Sequence, residues 1–327
     1  MRRRTACAAV LILAASPLVL AQVVGRKARI GFLTEAPLDQ VWQRAAVEPL
    51  RRGLRELGYV EGENMVFEIR SAEGKNELLK PLMNELLQLK LDVLVTAFPS
   101  AAMAAKNATR TLPVVAASVD NPVDMGLAAT MARPGGNITG ISSWGGEVVA
   151  KRLQLVRELV PGVRRVGILS NPNAIPRTDV ERKVPEWERM LGRQIRLYEA
   201  RGPDEFEAVF AAMARDGVGA LIVFADANTY VNRARLNELC LQRRMPSVWG
   251  GRDFLTGGGL ASYQSDIPAI FLRAATLVDY ILKGQKPAEI PFEQATKLEL
   301  IVDKRAARTL GISLPKALLL AADEVIE

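Results

Sequence analysis

LDVLVTAFPSAAMAAKNATRTLPVVAASVDNPVDMGLAATMARPGGNITG, residues Leu91–Gly140, is the stretch whose reading decides the fold. Asp92–Ala97 is a continuous apolar strand pattern. It breaks at Phe98-Pro99-Ser100 and runs into an Ala-rich helix, Ala101–Asn107, before Pro113 introduces a second apolar strand, Val114–Ala117. Two uninterrupted apolar strands separated by a helix are what a parallel sheet covered on both faces requires, because its strands have no solvent side to alternate towards. In such sheets ligands sit beyond the carboxyl ends of the strands, so Phe98–Ser100 and the turn Ser118–Asn121 are expected to line one crevice.

The alternation extends in both directions. Ala28–Leu33 reads as a short apolar strand, 40–57 as a helix stopped by Gly58, Met65–Arg70 as a more exposed strand near a sheet edge, and Leu78–Leu89 as an amphipathic helix covering a sheet face. The pattern restarts at Glu147: strands at Arg165–Leu169, Gln194–Glu199, Ala220–Phe224 and Ser247–Trp249 alternate with helices. Two similar open sheets in one chain predict an α/β protein of two doubly wound parallel-sheet lobes with a cleft between them. Glycine-rich or proline-rich segments near Gly140–Gly146, Gly257–Gly259 and Pro287–Ala295 are expected to form a three-segment hinge. The resulting division is 22–140 plus 259–288 for the N-terminal lobe and 141–258 plus 289–327 for the C-terminal lobe.

Composition narrows the chemistry. The 327 residues are 49% hydrophobic and 24% charged, enough for two cores. Arg2, Arg3 and Arg4 precede an apolar run ending near Ala21, so residues 1–21 read as a secretory signal peptide, and export to a bacterial periplasm is expected. Its removal takes three of the 43 basic residues and none of the 36 acids, leaving +4. The remaining cations are interspersed with acids, which is a solvated surface and not a nucleic-acid footprint. Cys7 leaves with the signal, and Cys240 falls on an apolar helix face as a small hydrophobe. There is no histidine. That removes His-based triads, His acid–base work and His-ligated metals. Neither a P-loop nor a Gly-x-Gly-x-x-Gly after a strand is present. No enzyme, cofactor or metal is expected.

Several strings, among them GLRELGYVEGEN (Gly53–Asn64), ARPGGNITG (Ala132–Gly140), KRLQLVRELVPGVRRVGIL (Lys151–Leu169), GPDEFEAVFAAMAR (Gly202–Arg215), RAATLVDYILKGQKPAEIP (Arg273–Pro291) and LLLAADEVIE (Leu318–Glu327), resemble the periplasmic substrate-binding proteins of ABC transporters of the tryptophan/tyrosine-binding type. The resemblance covers nearly the whole mature chain. It implies a type I periplasmic binding protein fold, a monomer, a small-molecule ligand captured by lobe closure, and as partners an ABC permease with separate ATPase subunits. A sensory protein presenting its ligand to a membrane receptor is the alternative.

A ligand carboxylate suits helix amino termini that face the cleft. Ser100 reads either as a hydroxyl for such an anion or as an N-cap for its own helix. The sequence departs from the family's pattern at two crevice positions, with Phe98-Pro99-Ser100 where members carry Gly-Thr-Pro and Asp120-Asn121-Pro122 where they carry Gly-Asp-Pro. A phenylalanine there narrows or re-lines the pocket, and the acid is displaced by one residue. Asn171 and Asp226 end strands of the facing lobe at positions resembling those the family uses; Asp226 either pairs with a ligand cation or caps the next helix. Trp144 and Trp249 either stack on a flat ligand or belong to the core. Thr34 and Glu35, ending the first strand, complete the expected ring.

Overall fold

The computed structural model describes residues 26–143, 145–175 and 177–327. The expected signal peptide and Trp144 lie outside the described residues. In the first lobe β1 (Ala28–Thr34), β2 (Met65–Ser71), β3 (Val93–Ala97), β4 (Val114–Val119) and β5 (Ile138–Ser142) alternate with α1 (Gln40–Trp42), α2 (Glu48–Glu56), α3 (Leu79–Gln88) and α4 (Phe98–Ala108). A wider π-helical turn, Gln43–Val47, joins α1 to α2. Then follow α5 (Gly145–Leu159), β6 (Arg165–Ser170), α6 (Arg177–Leu191), β7 (Gln194–Glu199), α7 (Pro203–Arg215), β8 (Ala220–Val223), α8 (Ala227–Val231), α9 (Arg233–Gln242), β9 (Ser247–Trp249) and β10 (Ala261–Ser265). The chain ends with α10 (Ile267–Leu282), β11 (Glu293–Gln294), β12 (Leu298–Asp303), α11 (Lys304–Leu310), α12 (Lys316–Ala321) and β13 (Glu324–Ile326).

Two sheets result, ordered β11-β5-β4-β3-β1-β2 and β13-β12-β10-β9-β8-β6-β7. All pairs of named strands in them are parallel except β10 with β12. Every residue of β3, β4 and β8 is buried, which is why those strands read as unbroken apolar runs. Each sheet carries a core on both faces. In the first, Phe32, Val95 and Phe271 lie in one cluster while Leu94, Ala102 and Ala116 lie in the other. In the second, Ile222 and Trp187 lie on one side and Phe210 and Trp249 on the other. Cys240 is buried in the last of these, as its helical position suggested.

Two strands cross the expected lobe boundary. β10 pairs with β9 and β12 in the second sheet, whereas the sequence placed 259–288 in the first lobe. β11 pairs with β5 in the first sheet, whereas 289–327 was placed in the second lobe. β5 itself, at Ile141–Ser142, extends past the expected boundary at 140. Of the 259–288 segment, α10 does return to the first lobe, packing on α2 where a Cβ at Gly53 would come within 2.7 Å of Ala275 Cβ. The crossings therefore fall just after Ser143, at Asp266 and at 296–297. Gly257–Gly259 is not a hinge. Gly257 and Gly258 take φ of 112° and 129°, with Gly258 also pressed on Leu241, and a Cβ on Gly259 would lie 2.8 Å from Trp249 Nε1, so the run supplies a tight turn whose last residue admits the buried indole.

The three crossings lie against one another. Ser265 Oγ donates to Ser143 O at 2.9 Å, and Asp266 N donates to Lys297 O at 2.9 Å. The Asp266 carboxylate accepts from Ala269 N, capping α10, and pairs with Lys297 Nζ. Among the described residues no helix is long and apolar enough to cross a membrane.

Gly140, which ends the deciding stretch, is the tightest point of the first sheet: a Cβ there would sit 2.0 Å from Ala116 O on β4. Backbone cannot yield as a side chain can, so Gly140→Ala is expected to lower stability by about 3 kcal/mol, read by chemical denaturation. A loss below about 1 kcal/mol would show that β5 can shift without cost.

Candidate functional site

A cleft of about 1330 Å³ opens between the carboxyl ends of the two sheets, lined from the first lobe by Glu35, Trp42, Phe98, Ser100 and Asp120 and from the second by Arg152, Asp226 and Tyr230. Aromatic rings form its wall. Trp42 meets the edge of Phe98 with centroids 4.7 Å apart and approaches Tyr230 of the other lobe at 5.1 Å. Tyr230 is held in turn by Phe254 at 5.9 Å and by the Arg233 guanidinium 4.3 Å over its ring. Asp39 caps the short α1 by accepting from Val41 N and Trp42 N, and it also accepts from Tyr230 Oη at 3.4 Å, joining the lobes.

Two acids meet at this wall. Ser100 N donates to Glu35 Oε2 at 3.1 Å, at the amino end of α4. Asp226 begins α8 with a capping box, accepting from Thr229 N at 2.8 Å while its own N–H donates to Thr229 Oγ1. Asn171 Nδ2 donates to the second oxygen of Asp226 at 2.5 Å. Glu35 is 5% exposed. Burial pushes its carboxyl up to about 7, the bonds from Ser100 and Ala101 pull it back, and the charge of Asp226 adds to the rise.

A cation lies at the hinge side. Arg152, on α5, is 8% exposed, and its Nε donates to Tyr263 O at 2.8 Å. Its two Nη groups have no hydrogen-bond acceptor among the described residues. Gly250 makes room for it, since a Cβ there would be 3.0 Å from Nη2. Burial lowers the guanidinium to about 10, and Asp120 across the cleft opposes that fall. Asp120 is exposed to the cleft. Partial loss of water raises its carboxyl, while Arg152 and then Ser143 pull it down.

The family model for ABC transporter substrate binding proteins matches residues 38–326. The chain belongs to that family. Among relatives, the tyrosine-binding protein of Clostridioides difficile (strain R20291) is 20% identical over 279 residues, covering 84% of this chain and 80% of that one. A Streptococcus pneumonia ABC domain in complex with L-Trp superposes with a TM-score of 0.84 at 24% identity, covering 92% of this chain and all of that one. An R. palustris ABC transporter solute-binding protein in complex with benzoate gives 0.53 at 17% identity, covering 77% and 74%. At these identities the structural likeness establishes the fold, that of type I periplasmic binding proteins.

In this substrate-binding protein the structure brings Glu35, Phe98, Pro99, Ser100, Asp120, Asn121 and Asp226 to one cleft. Three expected positions differ. Thr34 is buried behind the cleft and its Oγ1 accepts from Ala36 N, shaping the turn that delivers Glu35. Asn171 lies beneath the lining and orients Asp226. Trp249 is fully buried, stacks on Phe254 at 5.2 Å and donates to Ser247 Oγ; it is core because β9 is a central strand. Trp144 lies outside the described residues. Sequence reasoning missed Trp42, Arg152 and Tyr230. Arg152 was legible: it falls four residues after Val148 and three before Leu155, a cation on the apolar face of α5.

The raised Glu35 carboxyl carries a sign. Between its ordinary 4.5 and about 7 the folded chain keeps a proton that the unfolded chain has released, so stability falls as pH rises through that window and is level above it. Glu35→Gln cannot ionise and should remove roughly 3 kcal/mol of that fall. The check is chemical denaturation of both forms across the window; parallel profiles would mean that Glu35 titrates normally.

Proposed function

We propose that this protein is the solute-capturing component of an ABC importer, taking a small aromatic carboxylate by closure of its lobes. The observation that carries the reading is Arg152: a buried guanidinium with unengaged Nη donors, in a cleft walled by Trp42, Phe98 and Tyr230. A bidentate carboxylate is the partner a guanidinium fork is built to hold, and a flat apolar body suits the rings. The relatives named above, with tyrosine, L-Trp and benzoate, all concern aromatic carboxylates. The importer role adds a membrane permease and separate ATPase subunits as partners, and export on the 1–21 signal would deliver the chain to the periplasm.

Closure has a geometry available. The lobes touch through Asp39 and Trp42 against Tyr230, and the crossings are short, so a ligand touching both walls can change the lobe angle. Thermal unfolding against aromatic amino acids, aromatic acids lacking an amino group, nucleosides and sugars tests the proposal. An aromatic acid at a hundredfold excess over its Kd should add about 2.7 kcal/mol, a shift of a few degrees. Arg152→Ala should weaken that ligand by tenfold or more, about 1.4 kcal/mol or above. Binding only of sugars or nucleosides, or an Arg152→Ala affinity equal to the native one, would overturn it.

A further inference from the structure

Trp42 belongs to two cores at once. It packs on the first lobe's cluster, which includes Phe271, and together with Val41 it also packs on the second lobe's cluster, which holds Tyr230 and Phe254. Its indole is wedged between rings of opposite lobes, Phe98 at 4.7 Å and Tyr230 at 5.1 Å. Both supports are fixed from behind, Phe98 by Phe271 at 6.3 Å, and Tyr230, itself 3% exposed, by Phe254 and the Arg233 guanidinium. The carrier is α1, a helix of three residues whose N–H groups at Val41 and Trp42 are capped by Asp39, the acid that also accepts from Tyr230 Oη. The π-helical turn after it ends in Ala46 and Val47, both buried in the first core. Such turns are rare and recur where a helix presents a functional group. α1 is thus rooted in the first lobe at its carboxyl end while its own side chains reach the second.

Each of these contacts runs directly between protein groups, so it operates whether or not a guest fills the cleft. The contact is also incomplete. Trp42 Nε1 is buried without a hydrogen-bond partner among the described residues, a donor that water would satisfy if the lobes parted. Ring packing favours the contact and the orphaned donor opposes it, and the two effects are of similar size. An element balanced in this way exchanges between two arrangements. We infer that α1 is a latch: Trp42 and Val41 hold the lobes together by protein contact alone, so the closed arrangement is populated ahead of binding and a guest enters only when the latch releases. The inference rests on the reading that the lobes move, but on no particular guest. It gives Trp42 a second role beside that of cleft wall, setting how much of the chain is open to receive a molecule at any moment. Apparent affinity is then reduced by the fraction of chains whose latch is shut.

Small-angle X-ray scattering tests the latch on the native chain and two variants, each freed of small molecules by unfolding, dialysis and refolding. The native curve should match the one calculated from the present arrangement of the lobes. Trp42→Leu leaves an apolar group for the first core but does not reach Tyr230. Val41→Asp sets a charge against the second core alone, and it serves if the leucine variant does not fold. Each variant should lower the closed-to-open ratio by about tenfold or more, read as a larger radius of gyration and maximum dimension with an unchanged circular dichroism spectrum. A native chain that is already as expanded as the variants overturns the latch and leaves closure by a guest intact. Curves that stay compact in all three proteins overturn the latch and the movement of the lobes together.

Discussion

The cleft depends on the knot of backbone at which the chain changes sheets. Ser143, Ser265, Asp266 and Lys297 lie side by side, tied by Ser265 Oγ to Ser143 O and by Asp266 N to Lys297 O. With the crossings fixed in this way, the carboxyl ends of two separately wound parallel sheets are held facing one another. The polar turns that end β1, β3 and β4 then oppose those that end β6 and β8. Neither sheet could build the site by itself, because each supplies one wall. Asp266 does two tasks here: it caps α10, which returns to cover the first sheet, and it anchors Lys297 on the next crossing.

How much of this the sequence made legible follows from the physics of each signal. Unbroken apolar runs such as Val93–Ala97 and Val114–Val119 announce strands buried on both faces, and the turns after them announce the crevice, so Phe98–Ser100 and Asp120 were found by position. Which sheet a strand joins is a long-range matter, and β10 shows it: its five residues look like those of any other strand, and its place between β9 and β12 is set by pairing alone. Gly257–Gly259 misled for a related reason. Glycine marks either a hinge or a local need for positive φ and close approach, and here positive φ at Gly257 and Gly258 and the approach of Trp249 to Gly259 account for it. Trp249 and Trp42 illustrate the same limit for aromatic residues, since one is core and the other cleft wall with nothing local to tell them apart. Arg152 differs, because a cation on an apolar helix face has to be explained by what it meets.

A chain without histidine has no side chain that ordinarily titrates near neutral pH. The cleft supplies one by burial. Glu35 reaches about 7 because loss of water outweighs three hydrogen bonds that favour its charge, with Asp226 adding to the imbalance. Burial likewise lowers Arg152, and partial loss of water raises Asp120, which stays exposed in the cleft. The three groups are thus held where a ligand's own charges would improve their surroundings. A site of this kind gains from binding by completing electrostatic pairs that the protein leaves incomplete, which favours ligands whose charges are correctly spaced over ligands that are merely apolar.

Two of the five non-glycine residues with positive φ among the described residues lie at the same place. Phe98 and Ser118 follow or end the neighbouring strands β3 and β4, line the cleft, and take φ of 71° and 59°, the left-handed region that glycine occupies freely and other residues occupy at a cost of about 1–2 kcal/mol. At Phe98 the backbone holds a conformation that glycine would take freely, and the side chain is carried at that cost. The ring reaches Trp42 at 4.7 Å and Phe271 at 6.3 Å, joining the cleft wall to the core beneath α10. Packing of a phenylalanine on two aromatic neighbours is large enough to offset the strain. Its effect on the site is to supply a fixed aromatic floor. Trp42, pinned between Phe98 and Tyr230, is thereby positioned by both lobes at once, so a change in lobe angle must move the wall against which the guest rests.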